Sequence, residues 1–149
     1  MKNKELFEKT VSILVKAYQD DTLIAGEPCA CAVGNIIASN MNYKLIKTVG
    51  SIKWPLGVNN AKWYDVVCLD SDYLKAEEVS YVDIDIKSTG YSKNELWLIE
   101  KAFESSENVK QKSEIFYKLM NTVDCLREIH EANTSDVCIA KSLFVKETV

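Results

Sequence analysis

Apolar positions recur at helical spacing near the start of the chain. Phe7, Val11, Leu14, Val15 and Tyr18 fall on one face, while Glu5, Glu8, Lys9, Lys16 and Asp20 take the other. This predicts an amphipathic helix from about Lys4 to Asp20. The next stretch, "GEPCACAVGNIIASN", is different in kind. From Cys29 to Ala38 nearly every residue is small or apolar, so the pattern predicts a helix buried on most sides, opened by Pro28 in its first turn and fading at Ser39 and Asn40.

Two further helices follow later in the chain. In "TGYSKNELWLIEKAFES", Ser92 and Glu95 have the spacing of a capping box, Tyr91 is placed to staple onto Leu96, and Leu96, Ile99 and Phe103 form the inward stripe. In "NVKQKSEIFYKLMNTVDCLREIHEAN", Asn108 and Gln111 are placed to cap the start. Ile115, Leu119, Val123, Leu126 and Ile129 then step along one face to about Glu131, with Asn133 as the expected terminator.

Between Asn42 and Gly90 the helical period is lost. "YKLIKTVGSIKW" reads as a short hairpin turning at Val49, Gly50 and Ser51, and Pro55 drives Trp54 toward an extended backbone. "SYVDIDIK" alternates Val82, Ile84 and Ile86 with Tyr81, Asp83 and Asp85, as a strand would. At the C-terminal end Ile139, Ala140, Leu143 and Phe144 return to helical spacing. The expected fold is mainly α: a compact single-domain bundle of four to five helices over residues 1–149, with the Cys/Ala/Gly helix central and a small β element between residues 43 and 87.

A chain of 149 residues suffices for one core, since a domain of this size buries roughly 68–70% of the surface its unfolded form exposes. The N-terminus turns polar before any apolar run of signal-peptide length, and no segment approaches the roughly 18 apolar residues of a membrane span. The expectation is a cytoplasmic protein. Its five Cys, an odd number, are then expected to be reduced thiols rather than a disulfide framework. Of the 18 basic residues only Arg127 is an arginine, and the net charge is −4. Arginine supplies the planar fork that reads phosphates and base edges, so direct nucleic-acid binding is not expected.

Three segments together, "CACAVGNIIA", "STGYSKNELWLIEKAFE" and "LMNTVDCLREIH", resemble a family of small proteins of bacterial and phage genomes to which no activity is attached. The similarity covers most of the chain apart from its middle and its last dozen residues. It carries over no catalytic role. What it implies is a phage or mobile-element setting, in which small single-domain proteins are often inhibitors of host defence.

The residues with potential chemistry are few. Cys29 and Cys31, two apart, point about 200° from each other on a regular helix and cannot hold one ion there. Cys68, Cys125, Cys138 and His130 lie singly, so no metal is expected. Small residues around the two thiols favour close helix packing over thiol chemistry. His130 is the only histidine. Its place at a helix end is explained by the dipole, which favours a cation there.

The charge distribution is sharper. Residues 65–85 hold Asp65, Asp70, Asp72, Glu77, Glu78, Asp83 and Asp85 against one Lys, a net of −6, which leaves about +2 for the rest of the chain. Tyr73 and Tyr81 lie among these acids. Carboxylates interleaved with aromatic rings suit docking on a basic protein groove, where they would compete with nucleic-acid phosphates. Asp65, Asp70, Asp72, Tyr73, Glu77, Glu78, Tyr81, Asp83 and Asp85 are therefore the expected partner-binding residues. The expected function is that of a non-enzymatic binding module without cofactor or catalytic residues. Its expected partner is a basic bacterial protein such as a nucleic-acid-guided defence nuclease, inhibited in the anti-CRISPR manner. The competing readings are a thiol enzyme or redox sensor using Cys29 or Cys31, and a self-associating subunit joined through Ile139, Leu143 and Phe144.

Overall fold

The structure is a computed structural model that describes residues 1–27, 29–48, 51–54, 86–104 and 112–133. Four helices are described: α1 (Lys4–Gln19), α2 (Ala32–Asn40), α3 (Lys93–Phe103) and α4 (Lys112–His130). Strands β1 (Ile46–Thr48) and β2 (Ser51–Lys53) pair antiparallel, with Lys47 opposite Ile52. This is the expected hairpin. A short 3-10 turn, Lys87–Thr89, leads into α3. The helices pack in cyclic order, α1 on α2, α2 on α3, α3 on α4 and α4 back on α1, and they share one core.

The predicted stripes are the buried ones. Phe7, Val11, Leu14 and Tyr18 of α1 meet Leu96, Ile99 and Phe103 of α3 and Ile115, Leu119, Val123 and Leu126 of α4 in that core. Every residue from Ala32 to Ala38 of α2 is buried. Val33, Ile36 and Ile37 fill the core between the neighbouring helices, and Ala32, Gly34 and Ala38 add little bulk beside them. Trp54, at the end of the hairpin, is also buried and tilts its ring against Tyr43.

Local signals set several helix starts. Ser92 caps α3 by accepting from Glu95 N, and the Glu95 carboxylate accepts from Ser92 N, completing the capping box. Asn3 caps α1 by accepting from Leu6 N. The second helix departs from expectation, because it begins at Ala32 rather than near Pro28. Ala30 N and Cys31 N both donate to the Glu27 carbonyl in a tight turn, and Cys31 becomes the N-cap, its sulfur accepting from Gly34 N.

The ends of α1, α2 and α4 fall within a residue of the expected positions, but the way they close was not legible. After α1, α2 and α4 the chain enters the left-handed region at Asp21, Asn42 and Glu131, none of them glycine. Each time the next amide reaches back five residues: Thr22 N to Ala17 O, Tyr43 N to Ala38 O, and Ala132 N to Arg127 O. These are Schellman closures. The terminator of α4 is thus Glu131 and not Asn133. The expected caps Asn108 and Gln111, the strand-like residues 81–85 and the C-terminal stripe lie outside the described residues.

A left-handed Glu carries a backbone penalty that Gly avoids. Replacing Glu131 by Gly is expected to raise the free energy of urea unfolding by about 0.5–1 kcal/mol, after allowance for the exposed Lys2–Glu131 ion pair, which contributes little.

Candidate functional site

The nine expected partner-binding residues, Asp65, Asp70, Asp72, Tyr73, Glu77, Glu78, Tyr81, Asp83 and Asp85, lie outside the described residues, as do Cys68 and Cys138. Two buried polar constellations stand out among those described. One is built on His130 and the other on the segment that joins α1 to α2.

His130 ends α4 and is only 3% exposed. It is a core residue, not a solvated charge at a helix end. Its Nδ1 lies 2.6 Å from the Lys2 carbonyl and its Nε2 lies 2.8 Å from the Tyr91 hydroxyl. That hydroxyl lies 2.7 Å from Thr10 Oγ1, which donates to the Leu6 carbonyl at 2.7 Å. The rings of Phe7 and Tyr91 meet the imidazole edge-on. Lys2 N closes the arrangement by donating to the His130 carbonyl. Four side-chain contacts thus run in series from the Lys2 carbonyl through His130, Tyr91 and Thr10 to the Leu6 carbonyl. Burial pushes the Tyr91 phenol up to about 12, which keeps it a donor.

The α1–α2 segment is held from several sides. Asn35 Nδ2 reaches the carbonyls of Thr22, Ala30 and Cys31 at 2.8, 2.9 and 3.1 Å. Gly26, left-handed at φ 81°, donates its N–H to Glu104 Oε1 at the end of α3. Cys29 and Cys31 are 2% and 1% exposed. They line the inside of this segment, as the packing reading expected, although not from within a helix.

Against Cys31 lies Glu100 of α3, 7% exposed, with Oε1 buried and without a hydrogen-bond partner. Burial pushes the Glu100 carboxyl up to about 8, and the neighbouring Glu104 carboxylate adds to this; a hydrogen bond with the Cys31 thiol acts in the other direction. Cys125, half-buried on α4, has its thiol pushed up to about 11 by burial and then by Glu128, which makes it a poor nucleophile.

Sequence reasoning missed Glu100, Asn35 and Thr10 as participants. Glu100 follows Ile99 within the inward stripe of α3, and the helical period alone places it beside that stripe. No comparable signal marks Thr10 or Asn35. Among the described residues no group of three or more His, Cys, Asp and Glu side chains could hold a metal ion, and no helix is long and apolar enough to cross a membrane. No family model matches the chain, and neither a curated protein nor a solved structure is significantly similar to it.

Two outcomes test these constellations. Tyr91→Phe removes the link between Thr10 and His130 while keeping the ring, so unfolding free energy is expected to fall by about 1–3 kcal/mol, with unpaired buried groups left on both sides. Glu100 gives a pH dependence. Its folded value is raised from 4.5 to about 8, so the stability tied to its proton is fully present below about pH 4.5 and is lost as pH rises through about 8. At about 1.4 kcal/mol per pH unit, Glu100→Gln is expected to stabilise the fold at pH 7 by on the order of 3 kcal/mol and to flatten the pH profile of urea unfolding across that window.

Proposed function

We propose that this protein is a non-enzymatic binding module that acts by occupying a basic bacterial protein, as an anti-CRISPR-type inhibitor occupies a nucleic-acid-guided defence nuclease. The observation that carries this reading is the concentration of charge. Seven carboxylates and one Lys lie within residues 65–85, in a chain whose remainder is slightly positive. A block of that sign presents to Lys and Arg the same attraction as a phosphate backbone. Tyr73 and Tyr81 add the amphipathic rings that protein interfaces favour. The likeness of three segments to small proteins of phage and bacterial genomes supports the same setting.

The described core is in keeping with a partner-occupying role. His130 is bonded to Tyr91, Cys31 caps α2, and both, with Cys29, are shielded from solvent. Binding of this kind draws its specificity and much of its speed from long-range attraction, so it weakens as salt rises.

The test is a pair of parallel captures from host lysate, followed by a cleavage assay. Wild-type protein and a variant with Asp70→Asn, Asp72→Asn, Glu77→Gln and Glu78→Gln are compared at low and moderate salt. Retention of a nucleic-acid-guided nuclease by the wild type, loss in the variant, and inhibition of cleavage by the wild type only are the expected results. Equal inhibition by both proteins, or none by either, would overturn the reading.

A further inference from the structure

We propose that Glu100 is a pH-sensitive gate over the Cys29 and Cys31 thiols: neutral, its carboxyl seals α3 against the turn that carries them, and ionised, it opens that seam and admits solvent to the sulfurs. The inference goes beyond the proposed binding role and does not depend on it.

The argument starts from what the carboxyl meets. Glu100 is buried, and one of its oxygens has no hydrogen-bond partner, while the carboxyl bonds to the Cys31 thiol. A neutral acid with one open acceptor is tolerable in a core. A carboxylate in the same place is not, because ionisation multiplies the cost of desolvation. The surroundings offer it little relief. On α3 itself the nearest titratable group is Glu104, which repels it. Helix α2 carries no titratable side chain at all. The turn before it carries the two thiols and one further carboxyl, that of half-buried Glu27. From α4, Lys118 directs its ammonium to the Phe103 carbonyl at 3.5 Å, near the end of α3, and Glu114 brings a further carboxylate.

An ionised Glu100 must therefore draw in water or leave the core. The weakest boundary available is the one it already forms with Cys31. That residue caps α2 through its sulfur, which accepts from Gly34 N at 3.3 Å, and its carbonyl accepts from Asn35 N and Nδ2. Separating α3 from the turn gives up the carboxyl–thiol bond and leaves those bonds in place, whereas separation on the other side would split the Leu96, Ile99 and Phe103 stripe from α4. Glu104, whose Oε1 accepts from Gly26 N, ties the same turn to the end of α3 and limits the movement to a local opening.

The gate is read by alkylating the native protein with iodoacetamide between pH 5 and 9. Modified peptides are quantified by mass spectrometry, and each rate is divided into that of the urea-unfolded chain to cancel the thiolate titration. Protection of Cys29 and Cys31 in the wild type is expected to fall about tenfold per pH unit up to the ionisation of folded Glu100 and then level off. In Glu100→Gln it should be higher and independent of pH. Removing a neighbouring negative charge would by itself favour the thiolate and speed the reaction, so slower labelling in this variant has the opposite sign to a simple electrostatic effect. Glu104→Gln, which keeps an acceptor for Gly26, removes the charge that helps hold the Glu100 proton and should make the fall in protection level off at lower pH. Protection equal at every pH to that set by global unfolding, measured in urea on the same proteins, would overturn the gate, as would a Glu100→Gln profile that falls like the wild type.

Discussion

A single line of hydrogen bonds, from the Leu6 carbonyl through Thr10, Tyr91 and His130 to the Lys2 carbonyl, ties together parts of the chain that the helices alone would leave separate. It joins the first turn of α1, the residue preceding the cap of α3 and the last residue of α4. Apolar contact among these helices is non-directional and would tolerate small slips and rotations. A buried polar chain would not, because any slip leaves a donor or acceptor without a partner in a medium that cannot replace it. The chain therefore specifies one arrangement of helices that hydrophobic burial by itself would only favour. Gly90 belongs to the same junction. It is left-handed at φ 83°, and a Cβ there would come within 2.9 Å of Leu6 Cδ2.

On the other side of the core the order is kept by backbone carbonyls gathered around one amide, Asn35, at the start of α2. The amide thereby gives three carbonyls, those of Thr22, Ala30 and Cys31, a partner. The cost of the arrangement is Glu100, a carboxyl held in the packing with an oxygen left unpaired. The two polar sites thus behave differently. The one at His130 gives each of its polar side-chain atoms a partner, while the one at Glu100 leaves an oxygen unpaired, a conflict that proton release makes worse.

The contrast bears on function. A scaffold held by directional bonds, as the His130 line holds this one, would suit the proposed occupation of a partner, since preorganisation reduces the entropy lost on binding. The proposed gate would be a separate device, located on α2 and α3 and distinct in sequence from the acidic residues between 65 and 85.

Most of the helical architecture was legible from periodicity. The stripes of α1, α3 and α4, the Ser92–Glu95 capping box and the hairpin before Trp54 each follow from interactions within a few residues, which a sequence displays directly. The acidity of residues 65–85 is likewise a property of the sequence alone. The ends of α1, α2 and α4 fall within a residue of the expected places, but the start of α2 and the way the three helices close were not legible, because Cys31 is an unusual cap and Asp21, Asn42 and Glu131 take a conformation that glycine normally marks. Nor could spacing reveal that His130 would meet Tyr91, or Glu100 meet Cys31. Those pairs are separated by 39 residues in the first case and by 69 in the second. Local pattern determines which face of each helix turns inward, but the partner that waits there, and hence the protonation chemistry of a buried group, is decided only when distant segments pack.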